Sequence, residues 1–335
     1  MSLDEIGLQN IPRVLLAFLP TPIMEAPRLA AEIGGPKILI KRDDLTGFGF
    51  GGNKIRGLEF LLADALAQQA DTLVTGAGPQ SNYVRATAAV AAYAGIHMVA
   101  IYSGTPPSQV QGNYRLTRLL GADIRFTGNP DRASVDGAIE ETAGELRSNG
   151  RKPYTIPRGG ASVLGTLGYV QAVYELAEQC AAKGIVPDAI VLATGSCATH
   201  AGLLAGVHLL HLPWRIEGFT ASRPVDEVQA RVLSLAQAAV ERLGFTSTIV
   251  PHDVIVHGGF IGPGYGIPTS EGAEAIRLTA RCEGIFLDPT YTGKAMAGFL
   301  ACTRVGYFKR EETILFLHTG GEPALFVGEG RWLYE

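Results

Sequence analysis

Apolar and polar residues follow two rhythms along this chain, and the rhythms take turns. Short apolar-rich runs at 37–42, 72–76, 97–103, 123–126 and 153–156 have the length of strands. Between them, 55–62, 81–94, 109–120 and 132–148 read as helices; in the first, Ile55, Leu58, Leu62 and Ala65 recur at helical spacing and form one apolar face. The second half repeats the scheme. Strands are predicted at 189–193, 215–220 and 313–318, and helices at 162–183, 200–211, 225–243 and 271–283. Such alternation predicts an α/β fold, with mostly parallel sheets covered by helices. No short repeat, low-complexity tract or obvious linker interrupts it, and Arg158–Gly159–Gly160–Ala161 is the expected crossing between two lobes. Ligands of such sheets sit beyond the carboxyl ends of the strands, so loops that follow strands are where chemistry is expected.

Composition narrows the class. A chain of 335 residues is too long for one small core and suits two domains, or one domain with a large insertion. Its 47% hydrophobic and 18% charged residues suit an enzyme with buried sheets rather than a disordered chain. A net charge of −4 offers no basic surface for nucleic acid or anionic lipid. The four cysteines, Cys180, Cys197, Cys282 and Cys302, lack metal-ligand spacing and suggest no secreted disulfide framework, so no metal is expected. Residues 1–10 include Asp4 and Glu5 and show no basic-then-apolar targeting pattern, and no apolar run is long enough to span a membrane. The expectation is a soluble, cytoplasmic protein.

The richest motif follows the first predicted strand: Gly47–Phe48–Gly49–Phe50–Gly51–Gly52–Asn53–Lys54, a glycine turn that delivers one amine to a helix start. A nucleotide P-loop fails here, because Asn53 separates Gly52 from Lys54 and Ile55 stands where a Ser or Thr is needed. Gly47, Gly49 and Gly52 match a dinucleotide fingerprint, yet Asp71 starts the next strand instead of ending it, where a ribose would want an acid. A third chemistry is a Schiff base between Lys54 and a carbonyl cofactor, which needs a positioned, partly desolvated amine. A solvated lysine at a helix start is the plain alternative.

Other loops add candidates. Gln80–Ser81–Asn82–Tyr83 opens a small-residue helix after the strand at 72–76; a helix cap explains one of its polar residues but not three in a row. Thr194–Gly195–Ser196–Cys197–Ala198–Thr199 lies between a strand and a helix and reads as an anion cup of backbone N–H groups and hydroxyls, or as an ordinary capped turn. Tyr265 sits within Gly262–Pro263–Gly264–Tyr265–Gly266–Ile267–Pro268, and Tyr291 within Asp288–Pro289–Thr290–Tyr291–Thr292–Gly293–Lys294. Either could be an ordinary buried tyrosine. His318–Thr319–Gly320–Gly321–Glu322–Pro323 follows the last strand.

Taken together and in this order, the segments resemble the D-cysteine desulfhydrase and 1-aminocyclopropane-1-carboxylate (ACC) deaminase family of pyridoxal-phosphate (PLP) enzymes, in the tryptophan-synthase-β-like fold group. The resemblance runs from Thr21–Pro22 to Leu325–Phe326. It implies fold type II, with a large domain from 1–51 and 164–335, a small domain of 52–163 inserted into it, and a homodimer. It implies that Lys54 carries the cofactor and that Thr194, Gly195, Ser196, Cys197, Ala198 and Thr199 hold its phosphate. Asn82 would face its phenolic oxygen and Thr319 its ring nitrogen. Gln80 and Ser81 would grip the substrate carboxylate, with Asn82, Tyr83, Tyr265 and Tyr291 also around the substrate, and Lys54, Ser81, Tyr265 and Tyr291 would be the catalytic residues.

The resemblance also implies a reaction, β-elimination from a small amino acid such as D-cysteine to give pyruvate, ammonia and sulfide. ACC deaminases of the family carry a glutamate after the second tyrosine and a leucine in the last loop, where this chain has Thr292 and Thr319. Two departures bear on substrate: Tyr83 stands where the family commonly has histidine, and Cys197–Ala198 replace glycines. The alternatives are ACC deaminase, with Glu322 approaching the ring, an L-cysteate sulfo-lyase, a β-replacement synthase, or a catalytically silent PLP-binding protein.

Overall fold

The computed structural model describes residues 5–334, so Met1 to Asp4, part of the stretch read for targeting, lie outside the described residues. Six strands form one sheet: β1 (Ile23–Glu25), β2 (Lys37–Arg42), β7 (Ala189–Thr194), β8 (Arg215–Thr220), β9 (Ile255–His257) and β10 (Thr313–His318). Their order is β1-β2-β10-β7-β8-β9, parallel throughout except for the β1–β2 pair. A second, all-parallel sheet has the order β5-β4-β3-β6, from β3 (Thr72–Ala77), β4 (His97–Tyr102), β5 (Asp123–Phe126) and β6 (Pro153–Thr155).

Helices cover both faces of each sheet, which is why the central strands read as unbroken apolar runs. In the larger sheet Ile38, Ile40, Val191, Ile314 and Phe316 join one core with α1 (Pro27–Ile33), α9 (Ser270–Glu283) and α10 (Thr292–Arg304). The alternate residues Leu39, Ile190, Leu192, Leu315 and Leu317 join another with α6 (Val163–Lys183) and α7 (Ala198–Leu210). The smaller sheet divides the same way. Leu73, Met98 and Ala100 face α3 (Asn82–Ala94), while Val74, Val99 and Ile101 face α5 (Ser134–Ser148).

The short strands β1 and β9 and the helix α1 are absent from the sequence reading, because three-residue edge strands are too brief to show periodicity. Elsewhere the predicted strands and helices fall on observed ones, with ends shifted by a few residues. Helix α2 (Lys54–Ala67) crosses α6 with backbone against backbone: a Cβ at Gly57 would lie 2.6 Å from the Gly165 carbonyl oxygen, and one at Gly168 2.4 Å from the Arg56 backbone. That closeness seats the start of α2 against the larger sheet's layer. No described helix is long and apolar enough to cross a membrane.

Candidate active site

Between β2 and α2 the chain makes two short 3-10 turns, Asp43–Thr46 and Phe48–Phe50. The glycine turn that follows is held by its carbonyls. Thr46 Oγ1 donates to the Gly52 oxygen at 3.0 Å, and Arg85 Nη1 donates to that of Gly51 at 3.0 Å and to that of Gly49. Asn53 N–H donates to the Thr319 carbonyl at 3.0 Å, which joins the turn to the loop after β10. Two residues beyond Lys54, the Arg56 guanidinium clamps the first turn of α2 to Asp43 at 2.7 and 2.9 Å and to Glu175 at 2.8 Å. Lys54 is thereby fixed with its side chain on the wall of a cavity. Burial lowers its pKa to about 8, and no carboxylate is paired with its amine among the described residues.

The start of α3 forms a second wall. Ser81 caps the helix, its Oγ accepting from Val84 N–H at 3.2 Å, and also lines the cavity. Asn82 lines it too; its Oδ1 accepts from Asn113 Nδ2 at 2.8 Å, which leaves its own amide N–H groups for the cavity. Gln80 turns away: its Oε1 accepts from Asn113 N–H at 2.9 Å and its Nε2 donates to the Gln111 carbonyl at 3.1 Å. Tyr83 lines the cavity with a buried ring whose hydroxyl has no partner. It fits because residue 160 is glycine, since a Cβ there would lie 2.1 Å from the ring.

The third wall is the turn from β7 into α7. Thr194, Gly195, Ser196, Cys197 and Thr199 line the cavity, while Ala198 borders a smaller void behind Lys54. Cys197 occupies the cap position of α7 with φ +79° and provides no side-chain cap, so the first N–H groups of the helix are left for a ligand. Thr194 Oγ1 and His200 Nδ1 lie 3.1 Å apart, and burial pushes His200 down to about 4, which keeps it neutral. These uncapped donors, their hydroxyls and a buried amine without a carboxylate fit a phosphorylated aldehyde such as PLP.

Tyr265 and Tyr291 close the cavity with their hydroxyls 2.5 Å apart. Tyr291 is placed by Asp288, whose carboxylate accepts from the N–H groups of Thr290, Tyr291 and Thr292 at 2.8, 3.0 and 2.7 Å. Burial raises the pKa of Tyr291 well above its ordinary value, with Tyr265 adding to the rise. Thr319 lines the cavity. Thr292 does not; it is fully buried, with its hydroxyl donating to Asp288. Glu322 also stays outside, with its carboxylate accepting from Gly321 N–H at 2.9 Å and facing His318 Nε2 at 3.6 Å.

Several partners have no signal of their own in the sequence. Asn53, Asn113, Arg85 and the Asp43–Arg56–Glu175 group act on the candidates through contacts between segments far apart in the chain. Asp288 is the exception, since it lies in the segment from Asp288 to Lys294 that the sequence already singles out.

A family model described as pyridoxal-phosphate dependent enzyme matches residues 14–320. Proteins named D-cysteine desulfhydrase from Salmonella choleraesuis (strain SC-B67) and Salmonella paratyphi C (strain RKS4594) are each 43% identical over 96% of this chain and 97% of theirs. A solved structure titled as that of an ACC deaminase homologue superposes with a TM-score of 0.91 at 39% identity, covering 98% of both chains. A fungal L-serine ammonia-lyase from Rhizomucor miehei shares the fold, with a TM-score of 0.66 at 16% identity over 92% of this chain and 95% of its own.

Proposed function

The chain belongs to the pyridoxal-phosphate dependent enzyme family, and we propose that it is a lyase removing a β-leaving group from a small amino acid, D-cysteine first. The observation that carries this choice is the cavity residue near the last strand: Thr319 lines it, and the carboxylate of Glu322 lies outside. The bound cofactor's ring serves as the sink for the electron pair released with the α-proton. Opening a cyclopropane leans on that sink and profits from a carboxylate beside it. Expelling sulfide needs it less, because the electron pair leaves with the sulfur.

In this reading Lys54 holds the cofactor and, once freed by substrate, takes the α-proton; an amine with its pKa near 8 is suited to that exchange at neutral pH. The Cβ–S bond breaks with its electrons on sulfur, and water converts the remaining unsaturated amine to pyruvate and ammonia. Thr194 to Thr199 hold the phosphate, Thr319 faces the ring nitrogen, and Asn82 faces the phenolic oxygen. Ser81 and the N–H groups at the start of α3 hold the substrate carboxylate, with Gln80 supporting them through Asn113, and Tyr265 and Tyr291 flank the substrate.

The test compares turnover of D-cysteine, 3-chloro-D-alanine and ACC, with keto acid and ammonia detected. Faster turnover of ACC would overturn the choice, and the 39% identity to an ACC deaminase homologue makes this the second reading. Formation of a β-substituted product with an added thiol would favour the β-replacement synthase instead.

We also propose the division into 1–51 with 164–335 and 52–163, supported by the separate strand sets of the two sheets. A homodimer is supported by the exposed apolar side chains Phe18, Phe50 and Tyr93 on and against the glycine turn. A cytoplasmic setting is supported by four free thiols. Light scattering of wild type and Phe18→Glu checks the dimer.

A further inference from the structure

Asn113 lines no part of the cavity, yet it holds a residue that does. It lies in the first turn of α4 (Gly112–Leu119) and is fully buried. Both ends of its side-chain amide are assigned by partners that cannot reverse. Arg85 Nε donates to Asn113 Oδ1 at 3.2 Å, and a guanidinium offers donors only. Burial lowers the pKa of Arg85 to about 10, so it keeps its charge at neutral pH. At the other end Asn113 Nδ2 donates to the Gln80 carbonyl at 3.0 Å, and a carbonyl only accepts. The second Nδ2 hydrogen goes to Asn82 Oδ1 at 2.8 Å.

Asn82 therefore has its orientation set as well. Its oxygen is held by Asn113, its Nδ2 meets no protein acceptor among the described residues, and the side chain lines the cavity. Local packing keeps this chain of bonds in register. Gln80 Oε1 accepts from Asn113 N–H at 2.9 Å. A Cβ at residue 112 would lie 2.4 Å from that oxygen, so the approach needs Gly112, which also stands at φ +52°. Arg85 is anchored in turn on the Gly49 and Gly51 carbonyls, within the glycine turn that precedes Lys54.

We propose that Asn113 is a positioning residue: with Arg85 behind it, Asn113 turns the Asn82 amide so that only donors face the cofactor's phenolic oxygen, and this sets that oxygen's ionisation. The proposal rests on the reading that places PLP on Lys54 with Asn82 beside its phenolic oxygen. A neighbour that can only donate favours the ionised oxygen over the neutral phenol, and an amide carbonyl in the same place does the reverse. Asn113 thus decides which end of an amide the ligand meets, without touching the ligand.

The experiment prepares the holoenzyme of wild type, Asn113→Asp and Asn113→Ala, each also in an Asn82→Ala background, and removes unbound cofactor. The ratio of yellow to near-ultraviolet absorbance is then read across pH, because bound PLP is yellow with its phenolic oxygen ionised and absorbs in the near ultraviolet with it neutral. In Asn113→Asp both side-chain oxygens accept, so the Asn82 amide reverses and presents its own oxygen to the ligand. The expected ratio at neutral pH lies about tenfold or more below wild type. Asn113→Ala, which lets the amide take either orientation, should fall between the two. Neither substitution should move the ratio once residue 82 is alanine, since the amide that carries the effect is gone. Because each ratio is taken within one protein, partial misfolding of a variant does not imitate the effect. An unchanged ratio in Asn113→Asp or Asn113→Ala would overturn the proposal. So would a shift that persists in the Asn82→Ala background, which would assign it to charge or packing at residue 113. A wild type that takes up no PLP, or whose Lys54 is not labelled by borohydride, would instead overturn the reading on which the proposal rests.

Discussion

Asn53 Nδ2 donates to Thr199 Oγ1 at 2.9 Å, and both side chains are buried. The residue beside the candidate cofactor lysine is thus bonded to the helix start that forms the candidate phosphate cup, although 146 positions separate them. Lysine and cup are set at a fixed spacing before any ligand arrives, which lowers the ordering cost of binding.

Thr199→Val removes the acceptor and leaves the Asn53 amide buried and unpartnered, a cost of about 1–3 kcal/mol. Cofactor affinity should fall by about tenfold or more, measured by absorbance titration of the apoprotein, while Thr199→Ser retains most of it. Unchanged affinity in Thr199→Val would remove the 194–199 turn from the cofactor site.

Lys54 should be the one residue labelled when the yellow holoenzyme is reduced with borohydride and digested. Only a neutral amine attacks an aldehyde, and burial lowers the amine's pKa from 10.5 to about 8. Capture of PLP by the apoprotein should therefore accelerate as pH rises through about 8 and level off near pH 9. An ordinary lysine would keep accelerating toward its own higher pKa. Lys54→Ala should retain some cofactor but lose α-proton exchange, followed by NMR in deuterated water.

Asp43→Asn should destabilise the fold by about 3 kcal/mol, because it strips a buried guanidinium of one of its two carboxylate partners. Arg56 and the neighbouring Lys41 hold the Asp43 carboxyl down at about 2, despite the opposing effect of burial. Since that value lies below the unfolded one, the stabilisation is present above about pH 4 and is lost as pH falls through about 2. Urea midpoints of wild type and variant should differ most at neutral pH and converge only below about pH 2. The variant should also bind cofactor less well, since Arg56 anchors the turn that carries Lys54.

Gly160→Ala sets a methyl group into the Tyr83 ring and strains a residue at φ +71°. The expected loss is about 1–3 kcal/mol from overpacking, with a further 1–2 kcal/mol, roughly, from the backbone. Adding Tyr83→His should recover the first part and leave the second. Thermal unfolding of the two variants reads the difference, and no recovery would mean that the ring is not what Gly160 accommodates.

Local pattern determined much of this protein. The central strands and the long helices are legible because their burial repeats every two or every three to four residues, and Ile38–Leu39–Ile40 announces a strand covered on both faces. The glycine turn before Lys54, the Ser81–Asn82 helix start and the Thr194–Thr199 turn are legible because each consists of neighbours in sequence, with chemistry tied to a helix start. Only the tertiary structure decided which polar groups face the cavity. Gln80 stands next to Ser81 yet turns toward Asn113, and Glu322, three residues past Thr319, stays outside with His318. A side chain's periodicity is set by its own element, but its partner is set by how separate elements meet, and that meeting is a property of the packed whole.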